Sequence, residues 1–185
     1  MESKQETGVL CHITSLPEQK LSQGYRFVDW LKEKGFSYWQ LLPLTPPDEY
    51  RSPYASPSAF AGWDDLTKST QSHAMDDEAH WLEDWALYCA IKDDQNGKPW
   101  YEWPDLLKNR DEEALLPYQK KLEPYLQAQR SFNTEWQELR LYANANGVRV
   151  IGDVPIFIAH DSADVWAHRE LFQLDDDGYP TFVAG

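Results

Sequence analysis

Cysteine is nearly absent from this sequence. Cys11 and Cys89 stand far apart among apolar neighbours, which excludes a disulfide framework and any metal-ligand spacing and leaves buried free thiols as the expectation. Cations are scarce too: 17 Lys and Arg against 31 Asp and Glu give a net charge of -14. Nucleic-acid phosphates and anionic membrane surfaces repel such a polyanion, so neither is an expected partner. No apolar run reaches membrane-spanning length, and MESKQETGV at the start has no apolar core of the secretory kind, which points to a soluble, cytoplasmic chain. Also missing are a glycine-rich phosphate cradle, a nucleophile elbow and a CxxC pair.

What is abundant is apolar and aromatic. Hydrophobic residues make up 42% of the 185, and 9 are tryptophan, enough to build a core in one domain or in a piece of a larger one. Residues 8–12, GVLCH, read as a buried strand feeding a polar turn, TSLPEQK. A helix follows, with Ser22 as its expected N-cap, Phe27, Trp30 and Leu31 on one face, and Gly35 as its stop. Residues 38–42 are aromatic and aliphatic throughout, as a parallel strand buried on both faces would be, and Pro43 marks the exit.

Residues 45–62, TPPDEYRSPYASPSAFAG, combine four prolines with two tyrosines and Phe60. That composition suits a built loop lining a cleft rather than a spacer. From 64 to 146 the pattern is mostly helical. Trp81, Trp85, Tyr88 and Cys89 form one apolar face, WYEWPDLL makes a bend, and Phe132, Trp136, Leu139 and Ala143 recur at helical spacing up to the stop at Asn146-Gly147. Glu112, Glu113, Lys120 and Lys121 read as a solvated face.

Residues 148–159, VRVIGDVPIFIA, carry the strongest strand signal. HDSADVWAHRELF then reads as a short capped helix and FQLDDDGYPTF as a hairpin turning at Asp177-Gly178. The order strand, helix, strand, helical insertion, strand argues for a parallel α/β architecture with strand ends on one rim. The expected division is 1–63 for the first strands and loop, 64–146 for the helical insertion, and 147–185 for the third strand and hairpin.

Asp153 is the chemically conspicuous residue, because a carboxylate at the end of a buried strand is costly unless paired or used. Substrate contact and capping of nearby backbone N–H groups both remain open for it. Ser52, Pro53 and Tyr54 offer a hydroxyl and an aromatic platform of the sort that holds a sugar. His160, Asp161 and Asp164, and likewise Asp175 to Gly178, lack the spacing of known metal and calcium sites, so turn and cap roles are expected.

Taken together, GVLCHITSLP, YWQLLPL, SPYASPSAFAG, HWLEDWAL, YANANGVRVIGDVPIFIAHDSADVW and ELFQLDDDGYPTFVAG resemble the N-terminal part of the 4-alpha-glucanotransferase (amylomaltase, disproportionating enzyme) family. The resemblance spans nearly the whole chain in the family's order. It implies a (β/α)8 TIM barrel with helical insertions, an α-1,4-glucan or maltooligosaccharide substrate, no metal and no organic cofactor. It also implies a retaining transfer to a sugar 4-hydroxyl through a glycosyl-enzyme intermediate. By motif position Asp153 matches the aspartate that contacts the sugar near the cleavage site, and Ser52 and Tyr54 match donor-loop residues. In the family the nucleophile and the acid/base lie downstream of the VAG that ends this sequence. The expectation is therefore a partial barrel of about three strands, inactive alone and completed by a C-terminal part or by self-association. The alternative is a non-catalytic glucan-binding or partner-binding module. Two departures from the family pattern stand out: EQKLSQG replaces a glycine-rich segment after TSLP, and Trp63 replaces the usual SAFAGN-type ending, a change that bears on the rim of the donor cleft.

Overall fold

The computed structural model describes residues 6–68 and 79–182. The chain divides into two compact units, Met1–Leu44 with Gly62–Met75 and Gln129–Val154, and Thr45–Ala61 with Asp76–Ala128 and Pro155–Gly185. Each has its own hydrophobic core. Among the described residues no helix is long and apolar enough to cross a membrane.

The first unit holds a three-stranded parallel sheet of β1 (Gly8–Leu10), β2 (Tyr38–Gln40) and β3 (Arg149–Ile151), in that order. The register places Val9, Trp39 and Val150 in one row and Leu10, Gln40 and Ile151 in the next. Alternation of side chains across the pleat then separates two faces. Trp39 is fully buried, with Val9 and Val150 packed against the same core, while Leu10 is 56% and Ile151 43% exposed. The expectation of strands buried on both faces is thus corrected: only one face is covered by described residues of this unit.

The strand expected over 148–159 is also shorter. Leu41 N–H donates to Ile151 C=O at 2.9 Å, after which Pro43 in the neighbouring segment has no N–H to continue a ladder. Val154, Ile156 and Phe157 are consequently exposed.

Helix α1 (Gly24–Glu33) buries Gly24, Val28 and Leu31. Ser22 does not cap it; Ser22 lies in the turn Leu21–Gln23 and Gln23 takes the N-cap position without a side-chain bond. Trp30 is exposed rather than core, stacked between Phe27 and Phe36. Gly35 and Gly147 end α1 and α5 (Glu123–Ala145) at positive φ, as their type allows. Phe132, Leu139 and Ala143 of α5 enter the core beside Trp39. Trp63 packs half-buried against that core.

In the second unit α2 (Leu82–Asp94) buries Leu82, Trp85, Ala86, Leu87, Tyr88, Ala90 and Ile91, so it is enclosed on more than the single face expected. The bend resolves into the turn Trp100–Glu102 and α3 (Asp105–Lys108), with Trp100 and Trp103 in the core. Asp111 caps α4 (Glu112–Gln119) by accepting from Ala114 N–H, and Glu112, Glu113, Lys120 and Lys121 are solvated. Ser162 caps α6 (Ala163–Ala167) by accepting from Val165 N–H. A hairpin follows: Asp175 N–H bonds Tyr179 C=O and Thr181 N–H bonds Gln173 C=O across a turn closed at Gly178. Both cysteines are free and only half-buried.

Candidate functional site

Three in-register parallel strands put their C-terminal ends on one rim of the first unit, so residues that follow Leu10, Gln40 and Ile151 converge there. Cys11 N–H bonds Gln40 C=O at 3.0 Å and the Trp39 indole donates to Cys11 C=O at 2.7 Å, tying the first two exits together. His12 stands at this rim. It is buried, its Nδ1 has no hydrogen-bond partner among the described residues, and burial pushes its pKa below the usual imidazole value. Sequence reasoning passed over it as the end of an apolar run. A polar ring closing such a run was the available signal.

Asp153 lies two residues past β3, exposed, with Oδ1 accepting from Val154 N–H at 2.8 Å. The premise of a carboxylate forced into a buried strand end is corrected, since the strand stops short of it. The bond to Val154 fits the capping role.

Ser52 and Tyr54 belong to the second unit, where the loop Thr45–Ala61 builds its own support. Asp48 Oδ1 accepts from Tyr50 N–H at 3.0 Å and from Ser52 N–H at 2.7 Å, and Asp48 N–H bonds Ser52 C=O. Ser52 Oγ caps the turn Pro53–Ala55 by accepting from Tyr54 N–H at 3.4 Å. Tyr54 is thereby presented on a short locked turn, the residue 45% exposed. Further along, Ser56 Oγ donates to Ser58 C=O, and Ser58 Oγ accepts from Phe60 and Ala61 N–H, each at 3.1 Å. Prolines and hydroxyl-centred turns replace regular structure here, so the loop is ordered without helix or strand.

The acidic residues that resemble ligand sets are occupied otherwise. Asp161 accepts from Tyr88 Oη, Lys92 Nζ and Trp100 N–H, and burial together with Asp161 pushes the Tyr88 phenol far up. His160 stacks on Tyr101 with ring centroids 4.3 Å apart, its Nε2 2.7 Å from Gly178 C=O. Asp164 accepts from Ala59 N–H at 3.0 Å, and burial raises its pKa. Asp175 Oδ1 accepts from Asp177 and Tyr179 N–H in the hairpin turn. Among the described residues no three His, Cys, Asp or Glu side chains group as metal ligands.

A cavity of about 350 Å3 opens in the second unit, with Phe60, His80, Trp81, Asp84, Asp164 and His168 among its walls. Phe60 is 51% exposed and lies nearly parallel to Trp81, with centroids 6.2 Å apart at 14°.

Against known proteins, a family model described as 4-alpha-glucanotransferase matches residues 11–70 and 63–181. The chain is 36% identical over 235 residues to a 4-alpha-glucanotransferase of Aquifex aeolicus, covering 96% of this chain and 48% of the relative. It is 36% identical over 245 residues to one of Thermus thermophilus, covering 100% and 49%. Both alignments exceed the 185 residues of the chain, so these relatives carry segments without a counterpart here. Among solved structures, an amylomaltase from Streptococcus agalactiae in complex with acarbose superposes with a TM-score of 0.87 at 33% identity, over 98% of this chain and 50% of that one. The chain spans about half the length of the relatives it matches.

Proposed function

Because this chain belongs to the 4-alpha-glucanotransferase family, we propose that it is the N-terminal part of a retaining 4-alpha-glucanotransferase, holding an α-1,4-glucan for cleavage and transfer. In this reading one carboxylate forms the glycosyl-enzyme intermediate and a second acts first as acid, then as base. Both belong to the half of the family's length that this chain does not span. The parallel strands β1 to β3 open a (β/α)8 barrel, and the exposed Leu10 and Ile151 face is covered by the remainder of that barrel or by self-association. Asp153 contacts the sugar near the scissile bond, while Ser52 and Tyr54 hold the donor strand. A cytoplasmic setting belongs to the same proposal, in keeping with two free cysteines.

The observation that carries this reading is the half-exposed Tyr54 ring on a turn immobilised by Ser52 and Asp48. A ring carried on a pre-ordered turn stacks on a sugar face without the cost of ordering that backbone on binding. Calorimetric titration with maltoheptaose tests it. Tyr54→Ala should weaken binding by about 1–3 kcal/mol, by analogy with other aromatic stacking platforms; unaltered affinity refutes the assignment. In a chain carrying the whole barrel, Asp153→Ala should abolish most maltotriose disproportionation with the circular dichroism spectrum unchanged.

A second reading, a non-catalytic glucan-binding module, is favoured by the two separate cores, which fully bury Trp39 in one unit and Trp100 and Trp166 in the other. A discrete monomer or dimer in size-exclusion chromatography supports the module; aggregation supports a piece that needs the rest of its barrel.

A further inference from the structure

We propose that the cavity beside α6 is a second glucose-ring site, in which Phe60 and Trp81 take the apolar face of a pyranose and Asp84, Asp164 and His168 take its hydroxyls. The inference rests on the glucan reading above and extends it to a place that Ser52, Tyr54 and Asp153 do not occupy.

The size is that of a small-molecule site. Phe60 and Trp81 present near-parallel rings, and His80 meets Phe60 edge-on at 5.2 Å and 80°. Phe60 is not a loose surface ring. The Ser58 hydroxyl holds its backbone N–H, Asp164 holds Ala59 N–H, and Ala163 N–H bonds Pro57 C=O at 2.9 Å, pinning the loop to the start of α6.

The polar groups around these rings select the ligand. Asp84 Oδ1 is ion-paired with Arg110 and its Oδ2 stands 3.7 Å from His168 Nε2, so its charge is already matched and a cationic ligand gains little. A plain aryl ligand would stack on Phe60 and Trp81 but add nothing to the hydrogen bonding of the carboxylates and the imidazole. A pyranose satisfies both requirements, with C–H faces for the rings and rim hydroxyls that donate to carboxylates and accept from His168. Phe60 and Tyr54 sit on one loop of the second unit, so a glucan held at Tyr54 has a second platform on the same segment.

Titration of the 15N-labelled 185-residue chain with maltoheptaose tests this, read at the Trp81 indole N–H resonance and assigned by its loss in Trp81→Phe. The resonance should move with saturable dependence. Phe60→Ala should weaken the affinity read there about tenfold, the equivalent of about 1.4 kcal/mol, and Phe60→Tyr should preserve it. A stationary Trp81 resonance while backbone amides of residues 52–54 shift overturns the cavity assignment and leaves the glucan reading standing. Absence of any shift at saturating sugar overturns both. An unchanged affinity in Phe60→Ala also overturns the cavity assignment.

Discussion

Replacing Gln129 with leucine isolates one buried interaction in the first unit. Gln129 is 3% exposed, and its side-chain amide accepts from Gly62 N–H at 2.8 Å and donates to Gly62 C=O at 3.0 Å. Glycine is required opposite it, since a Cβ at position 62 would stand 2.0 Å from Phe132 Cδ1. The neighbouring Trp63 N–H bonds Leu44 C=O at 2.8 Å, so this amide pair sits where the loop Thr45–Ala61 begins and ends. Gln129→Leu keeps the volume and deletes both partners, leaving a buried N–H and a buried C=O unpaired. At about 1–3 kcal/mol for each group, the loss is about 2–6 kcal/mol, a large share of the roughly 5–15 kcal/mol that holds a typical domain folded. With a urea slope of about 1–3 kcal/mol per molar, the unfolding midpoint should fall by about 0.7 M or more. A midpoint within about 0.2 M of the parent, at unchanged slope, refutes the argument that this pair is a dry, double-bonded tie.

Two smaller changes test local chemistry. Ser162 is fully buried and caps α6 through Val165 N–H at 3.2 Å, so Ser162→Ala should cost about 1 kcal/mol in urea unfolding, with Ser162→Asp retaining more stability; equal loss in both variants refutes the cap. Burial lowers the His12 pKa below its unfolded value of about 6.5. Its contribution is therefore fully present above that pH and is lost as pH falls through the folded value, because only the unfolded chain then takes up the proton. Urea midpoints between about pH 7.5 and 5 should drop less steeply for His12→Gln than for the parent, and equal slopes would count against a neutral buried imidazole.

Helical organisation was legible in the residue order. The periodic Phe132, Leu139 and Ala143, the stops at Gly35 and Gly147, the short capped helix within residues 160–172 and the turn at Asp177-Gly178 stand where spacing and side-chain chemistry put them. Each depends on residues within a few positions of one another, through φ preference, capping or the 3.6-residue repeat. Ser22 failed because a cap needs extended backbone at its own position, whereas Leu21–Gln23 already turns. Tyr54 and Ser52 were picked out as a sugar-holding pair, but the Asp48 bonds that lock their turn carry no pattern in the sequence.

By itself the sequence determined the class of elements, their order and the family, because apolar periodicity, turn chemistry and long shared motifs are properties of neighbouring residues. Tertiary structure alone decided that described residues cover only one sheet face, that β3 ends at Ile151 before reaching Asp153, that His12 is buried with a nitrogen unpaired among the described residues, and that Gln129 grips Gly62. It also assembled the cavity from the loop at Phe60, the entry to α2 at Trp81 and the start of α6 at Asp164. Burial and pairing are set by residues tens of positions apart, and a strand is only as long as the partner beside it.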